Sequence, residues 1–198
     1  VIPNGVAPEF AAIERRPDAA RGPIVCFGRM TSEKGPMLVL EAIARLGDPS
    51  VRVVFVGRGP EQARVRERAR TLGAGDRIAT IDWLEPVALA EQLAAAAIVV
   101  LPSREESFGN AMVEAMASGA PLVTTRVGSI PELLADGVHA DLVPVDDVAA
   151  LTAAIARLRR EPARAEALGR AARAHVAASY SWDATARAFE AIYAELGA

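Results

Sequence analysis

The sequence predicts an α/β fold: a single Rossmann-like domain on a doubly wound, mainly parallel sheet, closed by a helical C-terminal tail. Two observations carry this expectation. From Pro23 onward, short apolar runs alternate with longer stretches of helical periodicity, as successive strand–helix units do. Runs such as Val51–Val56 are nearly continuous in apolar residues, which suits a strand covered on both faces. The 198 residues suffice for one domain that hides roughly 70% of its unfolded surface.

Each element has a local reason. The chain opens Val1-Ile2-Pro3-Asn4-Gly5-Val6, where Asn-Gly marks a turn after a strand end. A polar stretch from Glu14 to Gly22 reads as loop, so residues 1–22 are expected to be a linker leading into the domain. Residues 23–180 form the expected domain. Ile24–Gly28 is its first strand, and Pro36 suits the first turn of a helix carrying Leu40, Ile43 and Leu46. Val51–Val56 follows, then a charged helix over Pro60–Leu72. Ile78–Ile81 is a weaker strand and Pro86–Ala96 a helix. Ile98–Leu101 and Pro121–Thr124 flank a helix that contains Glu114, and Asp141–Val143 is a last strand. Helices then cover Asp147–Arg160 and Pro162 to about Ala178. Ser181 is an N-cap signal for a final helix in residues 181–198. Trp182, Phe189, Ile192 or Tyr193, and Leu196 make an apolar stripe there, which by itself reads as core packing.

Composition excludes several function classes. A net charge of −3 argues against a general nucleic-acid or anionic-membrane surface. Cys26 stands alone in an apolar run and reads as a small buried residue. One Cys and two separated His give no metal cage of ordinary ligand spacing. No run approaches a membrane span, and no signal-peptide pattern is present.

The most informative segment is Leu101–Val123, LPSREESFGNAMVEAMASGAPLV. Glu106 stands where a strand hands over to a helix that Phe108-Gly109 opens. Glu114 falls on the second turn of that helix, at i, i+4 spacing from Asn110. In open parallel sheets, ligands bind beyond the carboxyl ends of the strands. Carboxylates there accept hydrogen bonds from sugar or ribose hydroxyls, and the free amides near Gly109 and Asn110 suit a phosphate. Taken singly, Glu114 reads first as a helix-surface acid, and Glu106 equally as half of a solvated loop pair with Glu105.

A second signal is Gly28-Arg29-Met30-Thr31-Ser32-Glu33-Lys34-Gly35. Arg29 and Lys34 lie five positions apart in a loop entering a helix, a way to neutralise two phosphates, since Arg binds bidentately and Lys acts as a point charge. As a bare pattern this is weak, and two solvated loop cations are the default reading. Gly57-Arg58-Gly59-Pro60 fails as a dinucleotide fingerprint, because Gln62 takes the third glycine position and Pro60 interrupts the helix entry.

Together, the E-x7-E segment with its internal F-G and following E-A-M-A-S-G-A-P, and the R-x4-K loop, resemble the retaining GT-B glycosyltransferases of family 4, the group 1 glycosyltransferases. Ser107 stands where many relatives have glycine. The V-I-P-N-G-V opening is similar to the point where such enzymes pass from N-terminal to C-terminal domain. The resemblance therefore implies the C-terminal, donor-binding half of a two-domain enzyme, inactive as a fragment.

It further implies an NDP-sugar donor (UDP or GDP), no cofactor and no metal. Glu114 would hold the ribose, and Arg29 with Lys34 the diphosphate. Glu106 and the amides of Phe108, Gly109 and Asn110 would hold the transferred sugar and nearby phosphate. Gly57 and Arg58 would lie beside the nucleotide, and the base near Trp83 and Leu84. Trp83 reads first as a packing residue and otherwise as one that stacks on a base, and Asp82 stands where the family commonly has glycine. The segment Thr124–Glu132 resembles the family's T-x-x-G-G-x-x-E, with Glu132 structural or interdomain.

Implied partners are the absent N-terminal domain and, through it, a saccharide or lipid-linked acceptor. The resemblance also implies that the final helix, residues 181–198, packs on the N-terminal domain, so that without it the stripe would let the fragment self-associate. The implied location is cytoplasmic, with membrane association depending on the N-terminal half. A GT-B phosphorylase, an epimerase and a non-catalytic nucleotide-sugar-binding module remain alternatives.

Overall fold

The structure is a computed structural model, and it describes residues 4–197. The Val1-Ile2-Pro3 part of the opening phrase lies outside them. Six strands form one parallel sheet: β1 (Ile24–Phe27), β2 (Val53–Val56), β3 (Ile78–Ile81), β4 (Ile98–Leu101), β5 (Leu122–Thr125) and β6 (Asp141–Val143). Their spatial order is β3-β2-β1-β4-β5-β6, all neighbours parallel. The chain winds outward from β1 in one direction, returns through β4, and winds outward in the other. The carboxyl ends of β1 and β4 thus border the switch point, where open α/β sheets bind ligands.

Apart from the partly exposed edge strand β3, the strands are short, mostly buried and rich in apolar residues because both faces are covered. Along β1, Val25 and Phe27 enter one core while Ile24 and Cys26 enter the other, the two-residue alternation of a pleated strand. Helices α1 (Pro8–Ala12), α4 (Pro86–Ala94), α5 (Asn110–Ala117) and α8 (Pro162–Ser179) close the first face. Helices α2 (Pro36–Leu46), α3 (Glu61–Thr71) and α7 (Val148–Arg160) close the second. Burial in the second core pushes the Cys26 thiol up to about 12, so it is inert as a nucleophile.

The expected elements are found within a residue or two, with additions that include 3₁₀ turns at Ala19–Arg21 and Gly75–Arg77. Pro8–Ala12 is helical and buries Phe10. Ser32–Lys34 forms a 3₁₀ turn, and Ile130–Leu133 makes a one-turn helix, α6. Helix α9 (Trp182–Leu196) is capped as expected, the Ser181 hydroxyl accepting from the Ala184 amide at 3.1 Å. Four members of its stripe are not core, Trp182, Phe189, Ile192 and Tyr193 being 55%, 46%, 42% and 56% exposed, and the Leu196 side chain lies outside what the structure describes. Among the described residues no helix is long and apolar enough to cross a membrane.

Candidate functional site

Two loops meet at the switch point. The first leaves β1 through Gly28 and closes in the 3₁₀ turn that ends at Lys34. Gly35, in the left-handed conformation (φ 64°), then passes the chain to Pro36 at the start of α2. The second leaves β4 through Pro102 and Ser103 and reaches α5 at Gly109, whose φ of 89° makes the turn into the helix. Across this gap Lys34 Nζ donates to Glu106 Oε2 at 2.6 Å. The two side chains are 23% and 17% exposed. This pair is therefore withdrawn from bulk solvent, where charge-assisted hydrogen bonds are strong.

Supports of Glu106 come from the neighbouring strand. The Ser103 hydroxyl lies 3.5 Å from Glu106 Oε2. Thr124 donates to the Leu101 carbonyl at 2.9 Å, and Thr125 donates to that of Ser103. Gly128, after β5, packs so tightly that a Cβ there would sit 1.9 Å from the Glu106 carbonyl oxygen. In the sequence that glycine was legible only as part of the segment resembling T-x-x-G-G-x-x-E, where Val127 and Gly128 replace the glycine pair. Here it lets the β5 loop close beneath Glu106. A narrow recess lined by Gly28, Lys34, Ser103, Glu106, Ala111 and Met112 opens at the pair.

Glu114 faces a neighbouring cleft of about 290 Å³, shared with Phe108, Asn110, Val113, Trp182 and the Asn4–Ala7 segment. Burial pushes its carboxyl up to about 7. It is a half-buried acceptor poised to titrate near neutrality, unlike a solvated helix acid. The Asn110 carboxamide, at the mouth, accepts from Asn4 at 3.3 Å.

The remaining predicted residues lie further out. Arg29 is exposed and belongs electrostatically with Glu33, whose carboxyl is held low first by the Thr31 hydroxyl and only later by Arg29. Arg58 is exposed, and its carbonyl accepts from the Met30 amide at 2.8 Å. Gly57 (φ 141°) has a structural reason to be glycine: a Cβ would lie 1.8 Å from the Gly28 carbonyl oxygen. Its bareness lets the β1 and β2 loops touch backbone to backbone. Trp83 is 63% exposed, so it is no packing residue, and its indole donates to Glu85 at 3.2 Å. Leu84 is half-buried against the first core. Asp82 is taken by Gln62 at 2.8 Å and Arg66 at 3.2 Å. Arg104, which sequence reasoning passed over, joins the Lys34 turn to Asp146.

Comparison with known proteins places this geometry. A family profile described as "Glycosyl transferases group 1" matches residues 21–161. The D-inositol 3-phosphate glycosyltransferase of Mycobacterium avium is 40% identical over 178 residues, 86% of this chain and 41% of that protein. Sucrose-phosphate synthase from Thermosynechococcus elongatus superimposes with a TM-score of 0.85 at 30% identity, covering 98% of this chain and 52% of that one. Anabaena Alr3699/HepE, solved in complex with UDP-glucose, gives 0.87 at 20% identity over 98% and 57%. The chain belongs to the group 1 glycosyltransferases, and its fold is one Rossmann-like half of the GT-B architecture. It spans less than half the length of the curated relatives it matches.

Proposed function

We propose that this domain binds the nucleoside-diphosphate sugar for a retaining, metal-independent transferase that moves a hexose to an acceptor. The observation that carries the reading is the Lys34–Glu106 pair at the switch point, 2.6 Å apart. A cation and a carboxylate held together there match a donor whose diphosphate and sugar hydroxyls are adjacent. Lys34, aided by Arg29 from the rim, meets the diphosphate. Glu106 turns to the sugar hydroxyls once a phosphate replaces it at Lys34. Glu114 accepts from the ribose diol, and the amides of Phe108, Gly109 and Asn110 meet the phosphate near the start of α5. Gly57, Arg58, Trp83 and Leu84 border the base, Trp83 offering an open ring to stack on.

Charge builds on the leaving diphosphate as the glycosidic bond breaks. Pre-placed donors that meet this charge lower the barrier without reorganising. Family membership supports the donor class, and retention and metal independence rest on the family resemblance alone. The acceptor would meet a further domain, so this chain by itself is expected to bind donor without transferring sugar. A ligand-detected NMR screen against UDP-, GDP- and ADP-sugars tests the reading. Saturation transfer to one nucleotide series, lost in Glu114→Ala, is expected; no transfer from any series overturns it.

A further inference from the structure

The Lys34 side chain hangs from a turn that has no hydrophobic anchor. None of Ser32, Glu33 and Lys34 is buried, and a lysine on a flexible stem is only as well placed as its backbone. What holds that turn is polar and comes from the opposite loop. The Arg104 amide donates to the Glu33 carbonyl at 2.6 Å. The Arg104 guanidinium donates to the Ser32 carbonyl through Nη1 and to Asp146 Oδ1 through Nε at 2.7 Å. Asp146 holds the guanidinium from the far side. Among the described residues it is the one non-glycine with positive φ, at 59°, a conformation a chain keeps when its surroundings fix it.

We propose that Arg104 is a positioning residue: it clamps the 3₁₀ turn so that the Lys34 ammonium meets Glu106 in the empty site and a donor diphosphate in the filled one. Arg104 sits two positions before Glu106, so one short segment carries both the acid and the clamp on its cationic partner. The inference rests on the donor reading and adds to it a residue outside both recognition motifs. Arg104 acts through Lys34 and touches no ligand.

Calorimetric titrations with UDP against uridine, and GDP against guanosine, test this on the whole chain. Arg104→Ala should weaken the diphosphate about tenfold, as misplacing one cation does, and leave the nucleoside within about twofold. Arg104→Lys should recover part of the loss. In a Lys34→Ala background, Arg104→Ala should cost nothing more, because the pair acts as one unit. Equal loss of nucleoside and diphosphate, unchanged diphosphate affinity, or additive losses with Lys34→Ala would each overturn the clamp. Amide exchange in the ligand-free chain gives a second arm: Lys34 and Gly35 should exchange faster in Arg104→Ala, and unchanged rates reject the clamp. If the unsubstituted chain binds neither nucleotide while exchange quickens, the donor reading fails and the clamp on the turn stands.

Discussion

Lys34 and Glu106, 72 residues apart in sequence, share a 2.6 Å ion pair at the carboxyl ends of β1 and β4. Each neutralises the other. In the proposed reading, a diphosphate that binds Lys34 has to displace Glu106. Glu106→Gln removes that competition, so it should tighten UDP or GDP binding by about twofold to tenfold, within the worth of a partly exposed ion pair. The same change should weaken a complete sugar donor relative to the bare diphosphate. Parallel titrations of UDP and UDP-sugar check the crossing; weakening of both ligands alike would refute the competition.

Glu114 makes a pH prediction with a definite sign. Its carboxyl is raised by burial from 4.5 to about 7, so between those values the folded chain holds a proton that the unfolded chain has released. Stability from this group falls as pH rises through the window and levels off above about 7. Glu114→Gln should have nearly the wild-type Tm at pH 4.5 and gain on it steadily up to neutrality. Thermal melts across this range read the difference, and an offset independent of pH would contradict it. Ribose binding by the wild type should strengthen as pH rises through 7, because the ionised form is the better acceptor.

Backbone contact between the β1 and β2 loops predicts an asymmetry among glycines. Gly57→Ala brings a Cβ to 1.8 Å from the Gly28 carbonyl at φ 141°, so strain and overlap together should cost about 2–4 kcal/mol. Gly73→Ala, at φ 63° with nothing within 4 Å, should cost only about 1–2 kcal/mol. Urea unfolding of the two variants measures this order.

Much of the fold was legible because each strand–helix unit carries its own punctuation. Pro36, Pro86 and Pro162 each sit at the first helical position, and apolar runs free of charge mark strands buried on both sides. The Pro8–Ala12 helix was not legible, since five residues are too few to show a period and Phe10 alone buries. At the site, the acids and cations stood out by spacing. The direct contact of Lys34 with Glu106 did not, because strand order is a tertiary fact that no local pattern encodes. Arg104 and Gly128 were obscured for the same reason: their partners, Ser32 and Glu106, lie on other loops. Trp83 reads from the sequence first as a packing residue, and its 63% exposure overturns that reading.

The open face of α9 predicts association. Four large apolar side chains, Trp182, Phe189, Ile192 and Tyr193, stand exposed along one helix, and contiguous patches of that kind are sticky. Sedimentation at rising concentration should show self-association of this chain. Replacing Phe189, Ile192 and Tyr193 with Ser should abolish it with little loss of Tm. Monomeric behaviour of the unsubstituted chain at high concentration would contradict this.

The central claim, that the β1-loop cations and the β4-loop acids grip one activated sugar donor, is tested most directly by calorimetric titration of UDP and GDP. The unsubstituted chain should bind one of them, and the Arg29→Ala/Lys34→Ala chain should lose at least about 2 kcal/mol of that affinity, as a charge-assisted contact warrants. Undiminished binding by the doubly substituted chain would show that the diphosphate sits elsewhere.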